Sequence, residues 1–305
     1  MKKTSEVKIL VVGDIMLDTY IVGKVDRISP EAPVPIVNVV DEYYTLGGCG
    51  NVFNNIKSMG SNAFCITSFG KDEAGEKIAE MLDESIIVAD KDTETIEKIR
   101  VVANHRETQM IRIDKEYNTV KMNKDILDQI AYNNKFIADI IIVSDYGKGM
   151  INKDMMNYLR ALNTPIIVDP KPINGHIYND LFMITPNKKE YKEILFDIKF
   201  GLPSIKNIEY VLQTAGKDGM YLDDLKKKKT THIKTKSSDV YNVTGAGDTV
   251  IAVMAVCIAK GLDALTSAKI ANKCASYVVT KPGTTAVPKD VFEKALKQFS
   301  KKKKK

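Results

Sequence analysis

The chain has 305 residues, with 45 basic and 39 acidic side chains and a formal net charge of +6. Five of the positive charges are the run Lys301 to Lys305, so the rest is near neutral, and a nucleic-acid surface, which needs a basic stripe on the folded face, is not implied. With 44% hydrophobic and 28% charged residues the chain can bury a large core, which excludes a disordered protein.

The opening MKKTSEVKILVVGD carries lysines, but its apolar stretch ends at Gly13 and Asp14, too short for a secretory leader. Val7 to Val12 reads as a strand buried on both faces of a parallel sheet. Comparable runs recur at Ala63 to Phe69, Asp139 to Val143, Pro165 to Val168, Leu181 to Ile184 and Ile208 to Leu212, with helical patterns such as Ala74 to Leu82 and Asp154 to Leu162 between them. Strand alternating with helix predicts a doubly wound α/β fold, a mostly parallel sheet with helices on both faces. Pro33 to Val40 and Glu97 to Asp114 instead alternate apolar with polar side chains, which predicts a small antiparallel sheet over about 19–45 and 95–117, either a β lid that closes over a pocket or pairs with a second subunit, or simply two edge hairpins. The expected organisation is a single domain over 1–300 followed by a disordered lysine tail, 301–305.

Cys49, Cys65, Cys257 and Cys274 form no CxxC and have no histidine beside them, which points to reduced thiols in a cytoplasmic protein. The longest apolar run, Val250 to Ala259, falls far short of a membrane span. His105, His176 and His232 follow no ligand spacing.

Three constellations carry chemistry. In VTGAGDTVIA, Gly245, Ala246 and Gly247 open a helix, where backbone N–H groups and the helix dipole favour an anion. Asp248 would face that anion, which makes sense if it takes a proton from the group being phosphorylated; the alternative is that it merely caps the helix. No GxxxxGK[ST] and no GxGxxG after the first strand occur, so neither a P-loop nor a dinucleotide site is supported. In GDIMLD, Asp14 and Asp18 follow the first strand, where open α/β sheets bind ligands, and carboxylates there suit a polyol; LGGCGN adds Gly47, Gly48 and Asn51 before a helix. Asp145, Asp169 with Lys171, and Asn187 with Glu190 each follow a strand and would point a set of oxygens and one ammonium at one edge of the sheet, the carboxylates and the amide being oxygen ligands suited to Mg²⁺. Asn187 taken alone is more often a helix cap or turn former.

With GDIMLD, LGGCGN, SDYGKG, VDPK, TPNKKE, TAGKDG and VTGAGDTVIA in this order, the chain resembles the ribokinase-like (PfkB) carbohydrate kinases over nearly its whole length. Within that family VDRISPEAPVPIVNV, LGG, IRID and SDYGKG are most similar to the kinases of bacterial ADP-heptose synthesis, on the route to lipopolysaccharide. The resemblance implies an ATP-dependent, Mg²⁺-assisted sugar kinase that phosphorylates D-glycero-β-D-manno-heptose 7-phosphate at O1, with potassium dependence left open. Other sugars or nucleosides as acceptors, and a silent sugar-binding homologue, remain as alternatives.

It further implies that Asp248 is the base over an anion hole of Gly245, Ala246 and Gly247, and that Asp14, Asp18, Gly47, Gly48 and Asn51 hold the sugar. Arg112 and Asp114 would close the lid, Asp145 would border the substrate and Lys171 would meet the sugar phosphate. Asn187 and Glu190 would organise Mg²⁺ and the ATP phosphates, while Thr214, Gly216, Gly219 and Asn272 would border the nucleotide. The base is expected to be an ordinary low-pKa aspartate. A homodimer through the lid and a separate nucleotidyltransferase for the next step are the implied partners. The stretch from Glu190 to Thr214 reads as short for the family and without a helix.

Overall fold

A computed structural model describes residues 1–82, 85–90, 92–103, 108–119, 121–133, 137–199, 206–235, 243–281 and 283–300. The lysine tail lies outside these residues. The first apolar run becomes β1 (Lys8–Gly13), and Ile9, Leu10, Val11 and Val12 are all fully buried. Ile9 and Val11 pack with Phe53, Val253, Met254 and Ile270, whereas Leu10 and Val12 join Ile126, Ile130, Met155 and Leu159. One strand thus feeds two cores, and each such side chain contributes roughly 1.5–3 kcal/mol by leaving water.

From β1 the chain leaves through β2 (Ile15–Ile28) and β3 (Pro35–Gly48), a long antiparallel hairpin, and returns through α1 (Cys49–Ser58) to β4 (Asn62–Gly70), parallel to β1. Next, α2 (Glu73–Met81) starts where the Asp72 carboxylate accepts from the Gly75 N–H, and leads to β5 (Ser85–Asp90), parallel to β4. A second antiparallel hairpin follows, β6 (Glu97–Ala103) with β7 (Thr108–Lys115). Alternation resumes with α3 (Lys124–Asn133), β8 (Ile140–Ser144), α4 (Lys153–Ala161), β9 (Ile166–Asp169), β10 (Leu181–Ile184), α5 (Lys188–Lys199) and β11 (Ile208–Thr214). The hairpin of β12 (Met220–Asp224) and β13 (Lys229–Ile233) precedes α6 (Ala246–Ala259), α7 (Ala264–Val278) and α8 (Lys289–Ser300).

The main sheet runs β13-β12-β11-β10-β9-β8-β1-β4-β5, parallel from β11 to β5 with an antiparallel edge at β12 and β13. The helix α6 is apolar all round: Val250 to Cys257 are at most 2% exposed, and it packs between the sheet and α1 and α7.

The second sheet, β3-β2-β6-β7, is the lid. Both hairpins are antiparallel as expected, but β2 and β6 pair in parallel, Asp18 opposite Lys98 and Tyr20 opposite Arg100. Each of these strands leaves the same carboxyl edge of the main sheet, β2 after β1 and β6 after β5, so they set out in one direction. Two elements correct the sequence reading. A helix, α5, fills Lys188–Lys199, where none was expected, although residues 200–205 lie outside the described set. The β12–β13 hairpin extends the sheet where only a turn was foreseen.

Candidate active site

The carboxyl ends of β9, β10 and β11, the turn after β11, and the start of α6 surround a cavity of about 600 Å³. Asp169 and Lys171 come from β9, Asn187 and Glu190 from the start of α5, and Thr214, Gly216 and Gly219 from the far wall; Ala246, Gly247 and Asn272 complete the lining. These sequence-predicted residues are therefore assembled in one place.

Asn187 caps α5. Its Oδ1 accepts from the N–H groups of Lys189 (2.9 Å) and Glu190 (3.0 Å), and the Glu190 carboxylate accepts in return from the Asn187 N–H at 2.9 Å. The other Glu190 oxygen takes the Lys171 ammonium at 2.9 Å. Lys171 thus faces an acidic wall rather than standing free in the cavity. Asp169 lies nearby, its carboxyl pushed well above the usual range by burial and by the charges of Asp248 and Glu190. On the opposite wall, the Asn272 amide donates to the Lys234 carbonyl at 3.0 Å.

At the start of α6, Gly245 is the residue before the helix, with φ of 76°, and no side chain caps it. The Ala246 N–H donates to the Val243 carbonyl at 3.2 Å. A side chain at Gly247 would meet only Asp169 Oδ2, at 4.0 Å, so the backbone there is open to the cavity.

Asp248 is not a cap. Its carboxylate turns away from the helix start to accept from Asn51 Nδ2 at 2.7 Å and from the Tyr146 hydroxyl at 2.9 Å. It is 6% exposed and sits behind Tyr146 and Gly247, which line the cavity. Burial raises its pKa, and the two hydrogen bonds partly offset that rise. The low pKa expected from a helix start is therefore outweighed by desolvation. Both oxygens keep a lone pair beyond these bonds, so the group can still accept a proton.

Asn51 is itself held in place. The Asn55 amide donates to the Asn51 carbonyl at 2.9 Å, while Asn55 Oδ1 accepts from the Val287 N–H (3.0 Å) and from Thr249 (3.2 Å). This buried residue ties α1 to α6, and nothing in its local sequence marks it.

The lid meets this arrangement through Asp18, whose charge is felt at Asp248, and through Tyr20, whose hydroxyl lies 3.4 Å from Thr284. Asp18 is buried and paired with Arg100 at 2.7 Å. Cross-strand register puts Arg100 opposite Arg112 and Lys98 opposite Asp114, so all four share one lid face. Arg112 makes a bidentate pair with Asp114, 2.8 and 2.9 Å, on the outer strand β7, away from the cavity lining. Arg100 was not singled out by the sequence; its alternation within the lid strand was the available signal.

Close packing explains the glycines of LGGCGN. A side chain at Gly47 would come within 2.9 Å of Asp18 Oδ2, and Gly48, with φ of 60°, would place one 2.3 Å from the Asp14 carbonyl. Asp14 staples the loop after β8, because its carboxylate accepts from the backbone N–H groups of Tyr146 (2.9 Å), Lys148 (3.1 Å) and Met150 (2.9 Å). Asp145 accepts from the Gly147 N–H and Asn174 amide, both at 2.7 Å, and from the Tyr178 hydroxyl. Neither carboxylate lines the 600 Å³ cavity.

A mostly parallel sheet with a second sheet beside it, and with a helix start, a buried carboxylate and a cavity at its carboxyl edge, is a doubly wound α/β arrangement suited to a phosphorylated ligand. Residues 7–290 match the pfkB family of carbohydrate kinases, and the chain belongs to that family. It is 39% identical over 95% of its length to the bifunctional protein HldE of Campylobacter concisus, and 36% identical over 92% to that of Bradyrhizobium diazoefficiens. It spans 64% and 60% of those proteins' own lengths. Among solved structures, Escherichia coli phosphofructokinase-2 in complex with substrates and products shares the fold with a TM-score of 0.73, 18% identity, and coverage of 96% of this chain and 99% of that one. Arabidopsis thaliana ribokinase complexed with ribose and ATP gives 0.69 and 18%, covering 95% and 98%.

Proposed function

We propose that this ATP-dependent sugar kinase phosphorylates D-glycero-β-D-manno-heptose 7-phosphate at O1. The observation that carries phosphoryl transfer is Asp248, a buried carboxylate held by Asn51 and by Tyr146, which lines the cavity. The heptose substrate is supported by the likeness to HldE over most of the chain, together with the lid motifs.

In this reading the nucleotide fills the cavity bordered by Thr214, Gly216, Gly219 and Asn272, and its terminal phosphate meets the start of α6 at Ala246 and Gly247. The sugar lies between Asp18, Asn51 and the Arg100 face of the lid. The acceptor hydroxyl gives its proton to Asp248 while its oxygen bonds to the γ-phosphorus and the bond to the ADP oxygen breaks. Positioning and charge stabilisation supply most of the rate, so the base acts late.

Mg²⁺ keeps most of its waters and is held by one or two carboxylates plus substrate phosphates, a donor set that the cavity wall can supply. Glu190, oriented by Asn187, would hold it, and the ion would neutralise phosphate charge. The lid carries exposed Val39, Val40, Ile111 and Ile113, which supports a homodimer formed through it. Light scattering should then give twice the monomer mass, and a monomer at micromolar concentration would contradict that assembly. Cys49, Cys65, Cys257 and Cys274 are buried free thiols, which supports a reducing, cytoplasmic setting. No helix among the described residues is long and apolar enough to cross a membrane.

The test is a panel of sugars and sugar phosphates with ATP and Mg²⁺, read as ADP release. Heptose 7-phosphate should exceed every other acceptor in kcat/KM by at least ~100-fold, the scale set by a polar group left unpaired in the wrong complex. Equal turnover of an unphosphorylated sugar would refute the substrate assignment.

A further inference from the structure

Tyr146 is the tyrosine of SDYGKG, to which the sequence assigned no role, yet its side chain lines the cavity and reaches Asp248. Its ring lines the cavity, with the Lys171 ammonium 5.6 Å from the ring centre, and its hydroxyl reaches past that wall to Asp248 Oδ1 at 2.9 Å. Its backbone is fixed from a third direction, because the Tyr146 N–H donates to Asp14. The carboxylate of Asp14, the first acidic residue after β1, therefore sets the loop that aims this phenol.

The surroundings make such a donor necessary. Burial and the charge of Asp18 of β2 disfavour ionisation of Asp248, and the Asp248 charge in turn raises Asp169 at the end of β9. Lys171 favours the charged base, but Glu190 of α5 takes part of its charge. Burial and one neighbouring carboxylate thus act against the charged base, and only Asn51 and Tyr146 donate hydrogen bonds to it among the described residues. Asn51 comes from α1 behind the site. Tyr146 is the donor on the cavity side.

We infer that Tyr146 is a positioning residue for the base: its phenol holds Asp248 charged and turned toward the acceptor hydroxyl, while its ring separates that carboxylate from the nucleotide phosphates. The inference rests on the reading of Asp248 as the base. Tyr146 exchanges no proton with substrate. Burial and the neighbouring carboxylates raise the phenol well above its ordinary value, so it stays a donor across the working pH range.

Tyr146→Phe keeps the ring, the cavity wall and the Lys171 contact, and removes only the hydroxyl. We expect kcat to fall ~10-fold or more, the scale of a hydrogen bond to a charged group, with the KM for ATP and for sugar changed by less than about threefold. The acid limb of the kcat profile should move to higher pH, because the carboxylate loses a donor that favours its charged form. Tyr146→Ala provides a second route: added phenol should restore activity, and toluene, nearly the same shape without the hydroxyl, should not.

A Tyr146→Phe enzyme with wild-type kcat and an unmoved acid limb, in a protein where Asp248→Asn is inactive, would overturn the inference and leave the base in place. Equal rescue by toluene would do the same. An active Asp248→Asn enzyme would instead remove the base, and this inference with it. Kinetics are read with heptose 7-phosphate or with whichever sugar the acceptor panel favours, so the outcome does not depend on the sugar's identity.

Discussion

Gly245→Ala is a one-methyl perturbation whose consequences can be worked out atom by atom. Gly245 has a φ of 76°, and an alanine there costs about 1–2 kcal/mol from backbone sterics alone. The new Cβ would lie 2.7 Å from Asn51 Nδ2 and 3.0 Å from Thr284 Cγ2. The Asn51 amide would have to shift, and its 2.7 Å bond to Asp248 would lengthen or break. A hydrogen bond to a charged group contributes roughly 1.5–3 kcal/mol, so the combined cost is about 2.5–5 kcal/mol. At ~2 °C per kcal/mol for a chain of this size, the melting temperature should fall by roughly 5–10 °C. Because the displaced amide orients the base, kcat should also fall ~10-fold or more in protein assayed well below its melting point. Differential scanning calorimetry and coupled ADP release measure the two effects. An alanine enzyme with unchanged melting temperature and kcat would refute the claim that this bend is packed against the base's partner.

Further outcomes follow from the same contacts. Asp248→Asn should lower kcat at least ~100-fold, on the scale of a lost general base, with ATP affinity by calorimetry kept within a few-fold. Wild-type kcat should fall as pH drops through a midpoint above the usual aspartate value, because burial raises the Asp248 pKa and only the charged form accepts the proton; a limb at or below the ordinary value would contradict that burial. Asn55→Leu should cost about 3 kcal/mol or more, because it takes the acceptor from the buried Val287 N–H and from the Thr249 hydroxyl, and chemical denaturation should read the loss. Glu190→Gln should raise the Mg²⁺ concentration needed for half-maximal rate at least ~10-fold, by analogy with outer-sphere metal partners, and an unchanged requirement would remove Glu190 from that role.

The fold was legible because buried parallel strands leave continuous apolar runs: β1, β8, β9 and β10 stand where Val7 to Val12, Asp139 to Val143, Pro165 to Val168 and Leu181 to Ile184 predict them. The helix α5 was legible too, since Tyr191, Ile194, Leu195 and Ile198 follow helical spacing, but the many lysines and glutamates around them obscured it. What each polar residue touches was less readable. Asp248 and Asn187 both stand beside helix starts; Asn187 caps its helix and Asp248 does not, and the difference lies in partners 197 and 102 residues away, Asn51 and Tyr146. The GDIMLD aspartates likewise divide by long-range contact: Asp14 holds the loop after β8, and Asp18 pairs with Arg100 of a lid strand. Short-range patterns identify which residues cluster at the carboxyl edge, and the fold decides which of them face the cavity.

In the proposed reaction a phosphoryl group passes from ATP to the anomeric oxygen of a heptose phosphate, with Asp248 as the base. The most direct measurement is phosphorus NMR of the product formed from heptose 7-phosphate, ATP and Mg²⁺ by the wild-type protein and by Asp248→Asn. The account predicts a new anomeric phosphate resonance beside the original 7-phosphate in the wild type, and none from the variant over the same interval. A new phosphate on any other carbon, or the same product at the same rate from the variant, would contradict it.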